Sequence, residues 1–119
     1  MNTGYEIIHW KRFGKKAISF IVKPVPQING DLELLSIFIE EIDNSASEFF
    51  AEMARVENGE VEEGSWSGNM VCATYHKDKA YLEFFFDSPR TCELPTSMLK
   101  ELVEAWVREK AKFDAENKK

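Results

Sequence analysis

The sequence predicts an α+β fold, in which a mainly antiparallel sheet of about five strands carries two helices on one side. Two observations support this class. Aromatic and β-branched runs alternate with turn residues, as the strands of antiparallel hairpins do. Two other segments repeat their apolar residues at helical spacing. The predicted order of elements is β-β-β-α-β-β-α, within a single domain that spans residues 1–119.

The first predicted element is a β-hairpin formed by residues 5–10 and 17–22, which are rich in aromatic and β-branched side chains. The intervening loop is basic and contains Gly14, a residue that adopts positive φ without strain. Two prolines and an Asn29-Gly30 turn signal follow the hairpin, so a connection is expected after it.

The next segment, residues 32–42, fits two kinds of element. Its apolar residues follow a helical stripe, but the Ile37-Phe38-Ile39 run favours a strand by residue type. Because β-branched side chains lose χ1 freedom in a helix, a strand is predicted here, and a helix is the alternative.

A helix is predicted after residue 45. Ser45 and Glu48 have the spacing of a capping box, which satisfies two amide donors at a helix start. Asn58-Gly59 is a typical helix end, and residues 60–68 then form an acidic loop. The apolar face of this helix consists of Ala46, Phe49, Phe50, Met53 and Ala54.

The clearest hairpin pairs residues 69–76 with residues 79–87 through a two-residue turn at Lys77-Asp78. That turn length places seven apolar or aromatic side chains on one face, as a core-facing sheet requires. They are Val71, Ala73, Tyr75, Ala80, Leu82, Phe84 and Phe86.

The last predicted element is a helix capped by Thr96, after a connection that ends at Leu94-Pro95. Its polar tail, residues 114–119, is expected to fray. The apolar side chains at helical spacing are Leu99, Leu102, Val103, Trp106 and Phe113.

Negative charge is concentrated in residues 40–63, which hold nine acids against one base, while the whole chain carries −6. Such a surface repels nucleic acid and membrane headgroups and attracts a basic protein. The chain has no run of about 20 apolar residues and no signal-peptide pattern at its start, which predicts a cytoplasmic protein with free thiols at Cys72 and Cys92. The acids are Glu40, Glu41, Asp43, Glu48, Glu52, Glu57, Glu60, Glu62 and Glu63.

Catalytic and metal-binding patterns are weak in this chain. Cys72 and His76, four residues apart on a strand, are separated by about 13 Å, too far for a nucleophile and its base. Cys92 with a histidine stays as a candidate pair for a small hydrolase or transferase. No metal-ligand spacing and no phosphate-binding glycine loop occurs, so no cofactor and no metal are predicted; a solvated acidic loop is the favoured interpretation of Glu60-x-Glu62-Glu63.

Ser67-Gly68-Asn69 leading into a hairpin, then Leu94-Pro95 and a closing helix with Trp106, resembles the small immunity proteins of bacterial polymorphic-toxin and contact-dependent inhibition systems. This resemblance covers residues 65–107. It implies a cytoplasmic inhibitor that binds a toxin domain, often a nuclease with a basic active site. The acidic stretch suggests the same kind of partner independently, because an anionic surface complements a site shaped for phosphates.

The leading hypothesis is therefore a non-enzymatic immunity protein that neutralises a cognate toxin. Trp66 is expected either as an exposed interface anchor or as a lid folded onto the core. The alternative is a structural or adaptor domain, possibly a homodimer, that contacts its partner through Trp66 and the hairpin face around Met70, Tyr81 and Phe85. The predicted partner-binding residues are Glu48, Glu52, Glu57, Glu60, Glu62, Glu63 and Trp66.

Overall fold

The computed structural model describes residues 4–42, 45–84 and 90–117, which form seven strands and three helices. The strands are β1 (Tyr5–Arg12), β2 (Lys15–Val22), β3 (Asn29–Gly30), β4 (Gly64–Ser67), β5 (Val71–Tyr75), β6 (Lys79–Phe84) and β7 (Thr91–Pro95). The helices are α1 (Leu32–Ile42), α2 (Ala46–Glu57) and α3 (Thr96–Glu116).

Five strands form one antiparallel sheet in the order β3-β7-β6-β5-β4, and the helices pack against it. The predicted α+β class is confirmed. The membership of the sheet differs from the prediction, because β1 and β2 form a separate two-stranded ribbon. Helices α1 and α3 contact both β2 and the five-stranded sheet, so they lie between the ribbon and the sheet.

The strand predicted at residues 32–42 is wrong, because this segment is helix α1. Its helical stripe is fully buried, and burial of that stripe outweighs the modest χ1 cost of the isoleucines. Asp31 also caps the helix, since its Oδ1 accepts the backbone N–H of Leu34 at 3.1 Å. The buried stripe consists of Leu34, Leu35, Phe38, Ile39 and Ile42.

The predicted hairpin register of β5 and β6 is confirmed. Tyr75 pairs with Ala80 and Ala73 pairs with Leu82 around the two-residue turn. All the predicted inward-facing side chains from residue 71 to residue 82 are fully buried, and Phe84 is half-buried. Position 86 lies outside the described residues.

Three strands were missed in the sequence. The short edge strand β3 lies within the connection predicted after the first hairpin. β4 lies within the predicted acidic loop, and β7 lies within the predicted connection before the last helix. Gly64 and the two serines of β4 have low strand propensity, so the strand forms because it pairs with β5. β7 similarly completes the sheet between β6 and the short edge strand β3.

The helix ends differ in part from the predictions. Ser45 occupies the N-cap of α2 without a side-chain capping bond, so the predicted capping box is not formed. Pro95 occupies the N-cap of α3, and the predicted cap Thr96 instead donates its hydroxyl to the carbonyl of His76 at 2.6 Å. The polar tail is helical as far as Glu116, where α3 ends, and its fraying stays a prediction.

Glu40 connects α1 to the ribbon. Its Oε2 accepts the backbone N–H of Phe20 at 2.8 Å, and Ser36 accepts the N–H of Val22 at 3.0 Å. Partial burial raises the pKa of the Glu40 carboxyl, and the bond from Phe20 opposes that shift. The ribbon is therefore held to α1 partly through a carboxylate that is costly to ionise.

Replacing Glu40 by glutamine is expected to raise the free energy of unfolding at pH 7. A raised pKa means that the folded state binds the proton more tightly, so this contribution to stability is present at low pH and lost as the pH rises from the ordinary glutamate pKa through the folded one. Glutamine stays neutral and still accepts the Phe20 N–H. Urea denaturation across this range is the measurement.

The control for this experiment is Glu40→Leu, which removes the acceptor as well as the charge. Its free energy of unfolding is expected to be about 1–3 kcal/mol lower than that of the wild type, because the Phe20 N–H is left unpaired. A glutamine variant with the wild-type pH dependence across the same range would show that another group titrates there.

Candidate protein-binding surface

Carboxylates from α2 and from the turn after it meet on one surface of the protein. Arg55 forms ion pairs with two of them. Its Nη1 is 3.3 Å from Oε1 of Glu52, and its Nε is 3.6 Å from Oε1 of Glu60. The side chains are exposed, apart from the half-exposed Glu52. This acidic surface consists of Glu48, Glu52, Glu60, Glu62 and Glu63.

The end of α2 turns the chain back over the helix. Gly59 has a φ of +78°, and its N–H donates to the carbonyl of Val56 at 3.1 Å. The N–H of Glu60 donates to the carbonyl of Arg55 at 2.9 Å, which completes the hydrogen-bond pair of a Schellman motif. The predicted helix end at Asn58-Gly59 is thus confirmed, and it places Glu60 beside the last turn of α2.

Gly64 then brings the acidic turn close to α2. A Cβ atom at this position would lie 2.6 Å from Cε1 of Tyr75 and 3.2 Å from Cγ of Glu52, so β4 approaches the helix more closely than any other residue would allow. Glu63 immediately precedes Gly64, and its Oε1 is 3.6 Å from Nε2 of His76. The turn that carries Glu62 and Glu63 is therefore held against the part of α2 that carries Glu52.

Not every acid of the 40–63 stretch belongs to this surface. Glu41 accepts the backbone N–H of Met70 at 3.0 Å, and Glu40 bonds the ribbon as described above. Glu57, a predicted partner-binding residue, faces α3, where its carboxylate is 3.2 Å from Nζ of Lys100. Asp43 lies outside the described residues.

Trp66 is not an exposed anchor. It lies on the inner face of β4, half-buried, with its ring edge-on to Phe38 at a centroid distance of 5.5 Å. Of the two alternatives predicted for Trp66, the structure has the one in which its side chain folds onto the core. The alternation of faces along β4 turns the inner side of the strand to Trp66 and the outer side to its two serine neighbours. The serines on either side of it, Ser65 and Ser67, are exposed.

The face proposed for an adaptor domain is divided by the sheet. Trp66 aligns with Ala73 and Leu82 on the inner face, whereas Tyr81 aligns with Thr74 on the outer face. Strand neighbours on opposite faces do not contact the same flat partner surface. Phe85, the other aromatic residue of that prediction, lies outside the described residues.

The candidate catalytic pair of Cys92 and His76 is not assembled. Burial raises the pKa of the Cys92 thiol to about 11, which disfavours the nucleophilic thiolate. Cys92 pairs with Leu82, while His76 bonds Lys79 at the hairpin turn, three positions away along β6. Cys72 and Cys92 are both free thiols, as predicted.

Among residues 4–42, 45–84 and 90–117, no three metal-ligating side chains converge. Within these same ranges, no helix has the length and apolar character needed to cross a membrane.

The ribbon carries a feature that the sequence prediction missed. Its outer face exposes Ile8 and Trp10 on β1 and Ile21 on β2. Trp10 lies near the basic loop, whereas Ile21 pairs with Glu6 at the other end of the ribbon. The sequence contained a signal for it, since the adjacent pairs Ile7-Ile8 and Phe20-Ile21 make both faces of each strand apolar. Only one of those faces packs on the helices.

No family model, curated protein or solved structure matches the chain. The functional argument therefore rests on the geometry and charge of its own surfaces.

Proposed function

We propose that this chain is a non-enzymatic immunity protein that acts in the cytoplasm and neutralises a cognate toxin domain, a nuclease with a basic active site. The observation that carries the proposal is the acidic surface, whose five carboxylates come from α2 and from the turn after it, and in which Arg55 pairs with only two of them, Glu52 and Glu60. The complementary partner is a protein with clustered lysines and arginines.

The ion pairs within the acidic surface leave its charge available. Arg55 and Glu60 are more than half exposed and Glu52 is about one-third exposed, and ion pairs in contact with water contribute only about 0–1 kcal/mol each. A basic partner that excludes water from these carboxylates forms stronger ion pairs with them than exposed Arg55 does in the free protein. Glu48 and Glu62 make no ion pair with any residue in the described ranges, so they add unneutralised charge.

The fold supports a preformed surface. α2 is anchored by Phe49 and Met53, which are fully buried, and its end is fixed by the two hydrogen bonds at Gly59. The backbone beneath the carboxylates is ordered before any encounter. A partner attracted over a long range therefore docks without a folding step in this chain.

The first test is co-purification with the protein encoded immediately upstream. The tagged chain is co-expressed with that protein, and the complex is eluted with a salt gradient. A stoichiometric complex that dissociates only at raised salt, together with loss of the partner's toxicity, supports the proposal. A partner that binds without losing its toxicity, or the absence of any complex with the neighbouring gene product, contradicts it.

Changing Glu60, Glu62 and Glu63 together to lysine is expected to slow association with the toxin about 10–100-fold at low salt. The substitution reverses the charge of the acidic turn while leaving the buried face of α2 intact. Stopped-flow fluorescence at several salt concentrations measures the effect, which should shrink as the ionic strength rises.

The matched control changes three exposed acids of α3, Glu101, Glu104 and Asp114, to lysine. It alters the net charge by the same amount at a different place. Equal slowing by both triple variants would show that only the overall charge matters, and no slowing by the first would remove the acidic surface from the interface.

A further inference from the structure

Strand β1 is an open edge of the ribbon. It pairs with β2 on one side, and within residues 4–42, 45–84 and 90–117 no other strand pairs with it. The outer edge of β2 is covered by α1, because Glu40 and Ser36 accept the N–H groups of Phe20 and Val22. Proteins usually shorten or cover a long edge, since its backbone groups pair readily with another strand. The eight-residue edge of β1 therefore needs an explanation.

The register of the ribbon shows which backbone groups of β1 point outward. The N–H of Lys23 donates to the carbonyl of Gly4 at 2.7 Å, one step before the first strand pair. Hydrogen-bonded and non-hydrogen-bonded pairs alternate along antiparallel strands. The even-numbered residues of β1 therefore bond β2, and the N–H and carbonyl groups of its odd-numbered residues face the open edge. The odd-numbered residues are Tyr5, Ile7, His9 and Lys11.

The open edge runs through the solvent-exposed half of β1. The N–H groups of Ile7, His9 and Lys11 bond no residue that the structure describes. The side chains of His9 and Lys11 are exposed on one face of the strand, and those of Ile8 and Trp10 are each 38% exposed on the other. A strand added beside β1 would therefore meet basic side chains on one face and apolar side chains on the other.

The basic side chains are concentrated next to the turn. Lys11 and Lys16 are directly opposite each other in the register, both are exposed, and both line a cleft of 330 Å³. Like charges at opposed positions destabilise a sheet, and neither lysine forms an ion pair with a described residue. A carboxylate placed beside Lys11 would relieve this repulsion.

Farther from the turn the charges along the edge are mixed. The cleft beside Ile7 and His9 is lined by Glu109, Lys112 and Glu116 of α3. Charge therefore selects an acidic side chain in a partner only at the position next to Lys11.

We propose that the open edge of β1 binds an extended segment of another protein, which adds a third strand to the ribbon. An acidic side chain of that segment lies beside Lys11, and its apolar side chains on the opposite face lie beside Ile8 and Trp10. A peptide backbone supplies both the donors and the acceptors that the edge requires. The phosphates of nucleic acid or lipid are acceptors only and leave the carbonyl groups of the edge unpaired.

A short labelled peptide that alternates glutamate with valine is the probe for this edge. Its fluorescence anisotropy with the full chain is expected to give a dissociation constant of about 10–100 µM. A peptide that alternates lysine with valine should bind at least about tenfold more weakly, because its charges meet those of Lys11 and Lys16. The acidic surface takes no part in this binding, so the inference does not depend on the proposed toxin partner.

His9→Pro tests the backbone contact. Proline removes the N–H that faces the open edge and removes no hydrogen bond between β1 and β2. It is expected to weaken binding of the acidic peptide at least about tenfold, with an unchanged circular dichroism spectrum. His9→Ala is the matched control, since it also removes the imidazole and its contact with Phe113 but keeps the N–H. It should bind within about threefold of the wild type.

Charge reversal tests the choice of an acidic segment. Lys11→Glu is expected to weaken binding of the acidic peptide at least about tenfold at low salt and to strengthen binding of the lysine peptide. Lys77→Glu makes the same change at an exposed lysine in the turn between β5 and β6. It should leave both dissociation constants within about threefold of the wild type.

Amide hydrogen exchange locates the added strand. In the free chain, the amide protons of Ile7, His9 and Lys11 are expected to exchange faster than those of Ile8 and Trp10, which bond β2. The acidic peptide should slow exchange at His9 and Lys11.

Three results overturn the proposal. One is no binding of the acidic peptide up to about 1 mM. The second is binding that is unchanged in His9→Pro, which would place the peptide away from the edge. The third is binding of phosphatidylglycerol vesicles, lost in Lys11→Glu, by a chain that does not bind the peptide. That result would make an anionic lipid surface the partner of the ribbon.

Discussion

Replacing Phe20 by alanine is expected to lower the free energy of unfolding by about 3–5 kcal/mol. The Phe20 side chain is fully buried, stacks on Tyr5 at a centroid distance of 4.8 Å and meets Trp106 edge-on at 5.8 Å. It is one of the ring contacts between the ribbon and α3, and His9 with Phe113 at a centroid distance of 6.4 Å is another. Truncation leaves a cavity that β2 cannot close, because its backbone is hydrogen-bonded to Glu40 and Ser36 of α1.

Phe13→Ala is the control for this prediction, since it makes the same substitution in the same ribbon at a side chain that is 94% exposed. Its expected effect is about 0.5 kcal/mol or less. Chemical denaturation of both variants, followed by tryptophan fluorescence, gives the comparison. Similar losses from the two would mean that Phe20 does not hold the ribbon to the helices.

Replacing Gly30 by alanine is expected to cost more than about 3 kcal/mol. Gly30 has a φ of +118°, where an L side chain is strained. A Cβ atom there would collide with the carbonyl oxygen of Thr91 and lie 2.9 Å from Cα of Cys92, both of them backbone atoms of β7. Because backbone atoms cannot rotate away as a side chain does, β3 would have to separate from the sheet.

Gly14→Ala distinguishes strain from collision. Gly14 has a φ of +78°, and a Cβ atom there would meet nothing within 4 Å. Gly14→Ala is expected to lower the free energy of unfolding by about 1–2 kcal/mol, the cost of placing an L side chain at positive φ. Thermal or chemical unfolding of both variants measures the difference. Equal costs would show that the edge of the sheet tolerates the Cβ atom and that strain alone determines both results.

The register of the β5 and β6 hairpin was predictable because local and long-range signals agree there. Apolar residues alternate from Val71 to Leu82, and a two-residue turn fixes which of them share a face. The end of α2 was equally clear, since Gly59 adopts without strain the positive φ of +78° that this helix end requires. In both places the decisive information lies within about ten residues.

The missed elements depended on distant partners. Residues 32–42 contain isoleucines that favour a strand, but the ribbon and the sheet both bury the helical stripe around Phe38. β4 contains glycine and serines and exists only because β5 pairs with it. Propensity predicts neither outcome, because the stabilising contacts come from residues far away in the chain.

The candidate surface was predictable in composition but not in membership. The sequence identified the acidic stretch, yet the roles of individual carboxylates depend on the positions of Met70, Phe20 and Lys100, which bind Glu41, Glu40 and Glu57. The burial of Trp66 likewise required knowledge of α1, whose Phe38 it contacts. Charge density is a property of sequence, whereas a shared surface is a property of the fold.

Arg55 has a consequence for how the free protein exists before it meets any partner. Its guanidinium lies between carboxylates from α2 and from the turn after it, and so acts as a built-in counterion. Arg55 relieves part of the repulsion among these carboxylates within the isolated chain. In the proposed complex, cations of the partner replace Arg55 beside these carboxylates on a backbone that is already ordered, so little conformational entropy is lost.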